Sequence, residues 1–197
     1  MSQPALSILI PAAGASERLG QLKQLVQYKT GSLIQNAVMT AHSIAPLEVI
    51  VITGSNAKAV KDAVQLPSVC WIHNPHWSAG MGESIALGSA AISPHSKGLM
   101  IILCDQWRVQ TQDLNQLTAV WQSGPERIVC AQAGGVLMPP VIFPPSCFQQ
   151  LRGLKGKQGA RSLLQTHPEL LRPVALENAA FDLDTEHQLA QLRNSER

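Results

Sequence analysis

Three short runs in the first half of the chain are almost wholly apolar: Ser7-Ile8-Leu9-Ile10, Glu48-Val49-Ile50-Val51-Ile52-Thr53 and Leu99-Met100-Ile101-Ile102-Leu103. A strand with one wet face alternates apolar and polar residues, so runs of this kind predict strands covered on both faces. Segments of helical spacing separate them. Ser32 stands where an N-cap would open a helix over Leu33 to Ser43, with Leu33, Ala37, Val38 and Ala41 on one face. Further helices are predicted over Ala57 to Val64 and Glu83 to Ala91, and a short strand over Val69 to Ile72. The alternation predicts an α/β fold with a mostly parallel sheet, whose ligands sit beyond the carboxyl ends of the strands.

After Trp121 the rhythm loosens. Ile128 to Ala131 and Val141 to Phe143 read as strands around a Gly134-Gly135 turn. Gly159 to Gln165 reads as a helix, Val174 as the start of a strand and Glu186 to Leu192 as a closing helix. No element is predicted between Leu103 and Ile128. No repeat or linker interrupts the chain, and its 197 residues suit a single domain, for which about 150 is usual.

Composition removes several classes of function. Apolar residues make up 45% and charged residues 14%, the reverse of a disordered chain. The 15 basic and 13 acidic residues are scattered and leave a net charge of +2, too little for a nucleic-acid grip. No run approaches the ~18 apolar residues of a membrane span. The apolar stretch Ala5 to Ala13 lacks a preceding basic region, so no secretory signal is expected. Cys70, Cys104, Cys130 and Cys147 are widely spaced and form no C-x-x-C pair. That spacing predicts free thiols in a reducing cytoplasm, with neither a disulfide framework nor a zinc cage.

The loop after the first strand carries the chemistry: Ile10-Pro11-Ala12-Ala13-Gly14-Ala15-Ser16-Glu17-Arg18-Leu19-Gly20-Gln21-Leu22-Lys23. Small residues let backbone N–H groups approach an anion, and Arg18 and Lys23 add positive charge. It is not a Walker A loop, because Leu19 stands where the second glycine belongs. Nor is it a dinucleotide fingerprint, because Ala15-Ser16 follows Gly14. An ordinary strand-to-helix turn with two solvated cations reads the same way.

Three later segments have the same two-sided character. In Asn74-Pro75-His76-Trp77-Ser78-Ala79-Gly80-Met81-Gly82-Glu83-Ser84, Gly80 and Gly82 would let the backbone lie flat against a base or ribose. Ser84 would cap the helix or reach a ligand, though a plain glycine turn also fits. His73 and His76 have no third ligand in their loop and read as surface histidines. Asp105 closes the most apolar run, where it suits either a turn or a hard cation such as Mg²⁺. Cys104 beside it reads as a small buried hydrophobe. In Phe181-Asp182-Leu183-Asp184-Thr185, an extended chain would turn both carboxylates to one side and Leu183 to the core.

These segments resemble the MobA-like nucleotidyltransferases, and among them the molybdenum cofactor cytidylyltransferase branch. The likeness runs from Ile8 to about Leu189 and is carried by Ala12 to Lys23, Asn74 to Ser84, Asp105, Gly159-Ala160-Arg161 and Asp182 to Thr185. It implies a Rossmann-like three-layer sandwich of the nucleotide-diphospho-sugar transferase type, with a nucleotide-binding half (about 1–106) and an acceptor half (about 107–197). It also implies transfer of CMP from CTP to a phosphorylated acceptor, molybdopterin cofactor, with loss of pyrophosphate. A molybdenum hydroxylase is the implied recipient of the product.

By the same resemblance, Ala12, Ala13, Gly14, Ala15 and Ser16 wrap the triphosphate. Arg18 holds the β- and γ-phosphates, and Lys23 lies near the α-phosphate. Asn74, Gly80, Met81, Gly82 and Ser84 bind the base. Asp105 and Asp184 hold Mg²⁺ with Asp182 in support, while Gln106, Gly159 and Arg161 border the acceptor. Trp107, Met138, Lys157 and Glu186 depart from the family's usual residues, all on the acceptor half. Those departures leave the acceptor open and motivate a nucleotide-binding maturation factor without turnover as an alternative. A third reading is an NAD(P)H-dependent oxidoreductase of the same family, against which the missing dinucleotide fingerprint argues.

Overall fold

The computed structural model describes residues 5–195. The chain runs through β1 (Leu6–Ala12), a small hairpin of β2 (Gln27–Tyr28) and β3 (Gly31–Ser32), α1 (Leu33–Ser43), β4 (Glu48–Thr53), α2 (Ala57–Asp62), β5 (Val69–His73), α3 (Met81–Ala91) and β6 (Gly98–Ile101). It continues with α4 (Thr111–Gln122), β7 (Ile128–Ala133), β8 (Val136–Phe143), α5 (Phe148–Arg152), α6 (Arg161–Thr166), β9 (Leu171–Ala175) and α7 (Glu186–Asn194). Seven strands make one sheet in the order β5-β4-β1-β6-β8-β7-β9. The sheet is parallel apart from β8, which runs against both β6 and β7.

The apolar runs are uninterrupted because both sheet faces carry helices. From β1, Leu6, Ile8, Ile10 and Ala12 enter a core shared with Ile34 and Val38 of α1 and Leu114 and Leu117 of α4. Leu9 enters the opposite core with Ile85 of α3, Leu151 of α5 and Leu163 of α6. Each such Leu, Ile or Val side chain contributes about 1.5–3 kcal/mol by leaving water, so a polar residue on either face would be costly. The result is a three-layer α/β sandwich. Among the described residues, no helix is long and apolar enough to cross a membrane. The four cysteines are free thiols, Cys70 exposed and the others buried.

Local signals hold closely in the first half. Ser32 caps α1, its hydroxyl accepting from the Gln35 N–H at 3.2 Å, and β4 has the predicted bounds. Other expectations need correction. β6 ends at Ile101, because the chain leaves the ladder after the Ile102 N–H meets the Leu9 carbonyl and turns toward Asp105. Val174 lies inside β9 rather than at its start; β9 is an edge strand, where Pro173 is tolerated. α4 was not foreseen. Its buried stripe of Leu114, Leu117 and Trp121 is diluted by polar residues, and its entry is secured by Asp113, whose carboxylate accepts from the Gln110 N–H at 2.8 Å.

From β1 the sheet grows through β4 to β5, then β6 returns to the other side of β1. The loops leaving β1 and β6 therefore flank the point where the winding reverses, the place where such sheets open a crevice. A third cluster closes that end: Leu19, Val26, Tyr28, Leu33, Trp107, Leu183, Leu189 and Leu192. It draws the loop after β1, the loop after β6 and the C-terminal segment together.

Candidate active site

The loop after β1 is shaped by the residues at its far end. The buried Gln24 side chain donates to the carbonyls of Ala12 (3.2 Å) and Gly14 (2.9 Å), and the Ser55 N–H takes the Ala13 carbonyl at 3.1 Å. Three successive carbonyls are thus tied back, which turns the N–H groups of the same trans peptides away from those anchors. Such N–H groups are what an anion-binding loop presents. Ser16 is held in the left-handed region at φ 56°, with its hydroxyl accepting from the Lys23 N–H at 3.2 Å. A non-glycine residue there stores strain that its surroundings must offset, a mark of functional loops.

Across the crevice stand two carboxylates. The Lys23 ammonium donates to Oδ2 of Asp105 and, at 3.0 Å, to Oδ1 of Asp184. Arg18 donates to the other Asp184 oxygen at 2.9 Å. Burial would lower the Lys23 pKa, but the Asp105 charge and the bonds to both carboxylates outweigh it and leave the pKa above the ordinary lysine value. Burial likewise pushes Asp184 up, yet its bond from Lys23 and the charges of Lys23 and Arg18 hold it below the usual carboxylate value. Asp182 is pushed upward by burial and by the charges of Asp105 and Asp184. Burial and the Asp105 charge push the Cys104 thiol up to about 12, so it is no nucleophile at neutral pH.

α7 positions Asp184. Thr185 caps the helix, and the Gln188 side-chain oxygen accepts from the N–H groups of Asp184 and Thr185, both at 2.9 Å. The same Gln188 donates to Asp182 at 2.8 Å. Glu186, one of the departures noted above, is the first residue of α7, where an acidic side chain meets the positive helix end.

Two adjoining cavities meet at Gly14, Lys23 and Trp77. One, of about 250 Å³, is lined by Ala13, Gly80, Met81, Ser84 and Asp105 among others. The other, of about 420 Å³, is lined by Ala15, Ser16, Arg18 and Asp184 among others. The remaining residues singled out from the sequence do not line them. Ala12 is buried at the end of β1. Asn74 is buried too, donating to the Ser84 hydroxyl at 3.0 Å and accepting from the His76 N–H at 2.9 Å. Gln106 is buried and donates its amide to the carbonyls of Pro139 (2.7 Å) and Ala179 (2.8 Å). Gly159 approaches Met81, while Arg161 is exposed at the start of α6.

One expectation is corrected here. Ser84 does not cap α3, which starts three residues earlier at Met81. The glycines before and within that helix make room for a neighbouring loop, and Gly80 also lines the smaller cavity. A Cβ on Gly80, which sits at φ 136°, would come within 2.2 Å of the Gly156 carbonyl oxygen, and one on Gly82 within 2.8 Å of Lys155. The Gly82 N–H bonds the Gly156 carbonyl at 2.9 Å, so the 155–158 loop is stacked on this turn. Trp77, Gln24 and Gln188 were missed as shaping residues. Trp77 lay inside a quoted motif, but the two glutamines act only through tertiary contacts.

Residues 8–171 match the MobA-like NTP transferase domain. The purine catabolism protein PucB of Bacillus subtilis is 30% identical over 84% of this chain and 83% of its own. The nicotine blue oxidoreductase of Paenarthrobacter nicotinovorans is also 30% identical, over 96% of this chain and 97% of its own. Among solved structures, Rv0371c of Mycobacterium tuberculosis superposes with a TM-score of 0.84 at 24% identity, covering 98% of this chain and all of that one. The chain is thus a nucleotidyltransferase and belongs to the family of MobA-like NTP transferase domains.

Proposed function

We propose that this protein moves CMP from CTP to a phosphorylated acceptor, molybdopterin cofactor, in a Mg²⁺-dependent reaction that releases pyrophosphate. The observation that carries this reading is the sharing of Lys23 between Asp105 and Asp184 where the two cavities meet, with Arg18 on the outer carboxylate oxygen. The donor set fits Mg²⁺. Oδ1 of Asp105 is buried without a hydrogen-bond partner, as a hard cation's ligand would be. Among the described residues no group of three or more His, Cys, Asp or Glu converges. Mg²⁺ suits this sparse set, since it is usually held by one or two carboxylates, with phosphate and water oxygens completing its shell. When bound, the ion neutralises the α-phosphate and the leaving pyrophosphate.

The chain's own residues supply charge and position. An acceptor phosphate oxygen attacks the α-phosphorus in line, and the bond to the bridging oxygen of pyrophosphate breaks. Lys23 and Arg18 offset the charge that develops on the phosphate oxygens, and the tied-back loop from Ala13 to Ser16 orients the triphosphate. Gly80, Met81 and Ser84 line the base side, with Asn74 and Gly82 shaping it, and Asp182 supports Asp184. Gly159 and Arg161 border the acceptor in this reading. Support for an anionic acceptor comes from the segment Arg152 to Arg161, which carries Lys155, Lys157 and two arginines and no acidic residue. The residues up to about 106 thus serve the nucleotide, joined by Asp182 and Asp184, and the rest of the second half serves the acceptor. The buried thiols suit a reducing cytoplasm.

Pyrophosphate release from CTP and Mg²⁺ across a panel of phosphorylated acceptors tests the reading. Release that depends on both metal and acceptor supports it; no release with any acceptor, together with no thermal shift from any nucleoside triphosphate, overturns it. The name of the Paenarthrobacter relative favours a second reading, an oxidoreductase. Acceptor-dependent consumption of NAD(P)H without pyrophosphate release would replace the first reading with that one.

A further inference from the structure

Trp107 departs from the family pattern, and its environment shows what it does. It is 7% exposed and lines neither of the two cavities that meet at Lys23. Its ring packs edge-on against Tyr28, with centroids 5.1 Å apart, and against Phe181 at 5.9 Å. Its neighbours grip the same segment. Gln106 donates to the Ala179 carbonyl at 2.8 Å, and the Arg108 guanidinium lies 3.7 Å over the Phe181 ring and 4.7 Å over Trp107 itself. Three consecutive side chains after Asp105 therefore hold two of the three residues that precede Asp182, Ala179 and Phe181.

The consequence is geometric. Asp105 and Asp184 come from loops 79 positions apart in the chain, and their separation has to be held by something between them. Lys23 attracts both but is flexible and engages each through single hydrogen bonds. The rigid link is the aromatic pair: the Trp107 N–H bonds the Asp105 carbonyl at 2.9 Å, and Leu183, wholly buried, joins Trp107 in one apolar cluster. We propose that Trp107 is a positioning residue which, through Phe181 and Leu183, fixes the Asp184 carboxylate opposite Asp105. This rests on the reading above, in which those two carboxylates serve the metal-bound triphosphate. Trp107 lines neither cavity that meets at Lys23, so in this proposal it acts on the site through packing.

The test measures Mn²⁺ affinity by electron paramagnetic resonance in the presence of CTP, nucleotide affinity without metal, and kcat and KM separately. Trp107→Leu, which keeps bulk but removes the aromatic edge, is expected to weaken Mn²⁺ about tenfold and to lower kcat about 100-fold, the scale of a misplaced ligand. Metal-free CTP affinity should stay within about twofold, because the carbonyls of Ala12, Ala13 and Gly14 are held by Gln24 and Ser55, not by Trp107. Trp107→Phe should restore most of both losses. Phe181→Leu approaches the same contact from its other side and should reproduce the defect should Trp107→Leu not fold. The double variant should be no worse than either single one, the signature of a shared contact. A Trp107→Leu protein with a lower Tm but unchanged Mn²⁺ affinity and kcat would show a merely structural role and overturn the proposal. A wild-type protein that binds CTP but no Mn²⁺–CTP would overturn both this inference and the reading beneath it.

Discussion

At the scale of single residues, the site turns on unequal exposure of its two cations. The Arg18 side chain is 74% exposed, so its pair with Asp184 adds little to stability. Arg18→Ala should leave Tm unchanged while transfer falls by about 10²–10³-fold, the usual cost of removing one donor from a developing charge. Lys23 is different: its side chain is 22% exposed and serves two carboxylates. Lys23→Ala should therefore cost both activity and stability, and thermal melts beside pyrophosphate assays separate the two effects. Asp184 gives a pH signature. Its folded pKa lies below the ordinary value of 3.8, so its ionised form favours the native state above that pH. That contribution disappears as pH falls through the depressed value. In chelator, Asp184→Asn should melt below the wild type at pH 6, and the gap should close as pH drops below 4; a constant gap would show that the charge is not what stabilises.

At the scale of elements, glycines divide by what they face. Nothing lies within 4 Å of a Cβ built on Gly14, whereas one on Gly80 collides with the Gly156 carbonyl. Gly14→Ala should fold with an unchanged Tm and weaken triphosphate binding about tenfold, a change of about 1.4 kcal/mol. Gly80→Ala should lower stability by about 1–3 kcal/mol, measured by denaturant unfolding, because backbone must move. The sequence alone read both as glycines that let the backbone approach a ligand, Gly14 a phosphate and Gly80 a base or ribose. The reason lies in range: the partner of Gly80 is 76 positions downstream, and no local pattern announces it. Elements whose signals are local fared better. α1, with its serine cap and clear apolar face, and β4, with its unbroken apolar run, were legible to their boundaries.

At the scale of the whole molecule, the site is assembled where the winding of the sheet reverses, and any ligand bridging its loops must stabilise the fold. CTP with Mg²⁺ at 100 times its dissociation constant should add about 2.7 kcal/mol, a rise of roughly 5–10 °C in Tm. The shift should vanish in Lys23→Ala. The sequence by itself determined the layered α/β architecture, because two buried faces demand apolar runs, and it marked the loop after β1 as a candidate anion loop, because small residues and two cations lie within one short stretch. It also named Asp105 and Asp184, and the resemblance put them on one ion, but what brings them together lay beyond it. That was decided by the third apolar cluster, in which Trp107, Phe181 and Leu183 bring the ends of distant segments together. Packing of this kind depends on shapes in contact rather than on spacing along the chain, so only the folded structure reveals it.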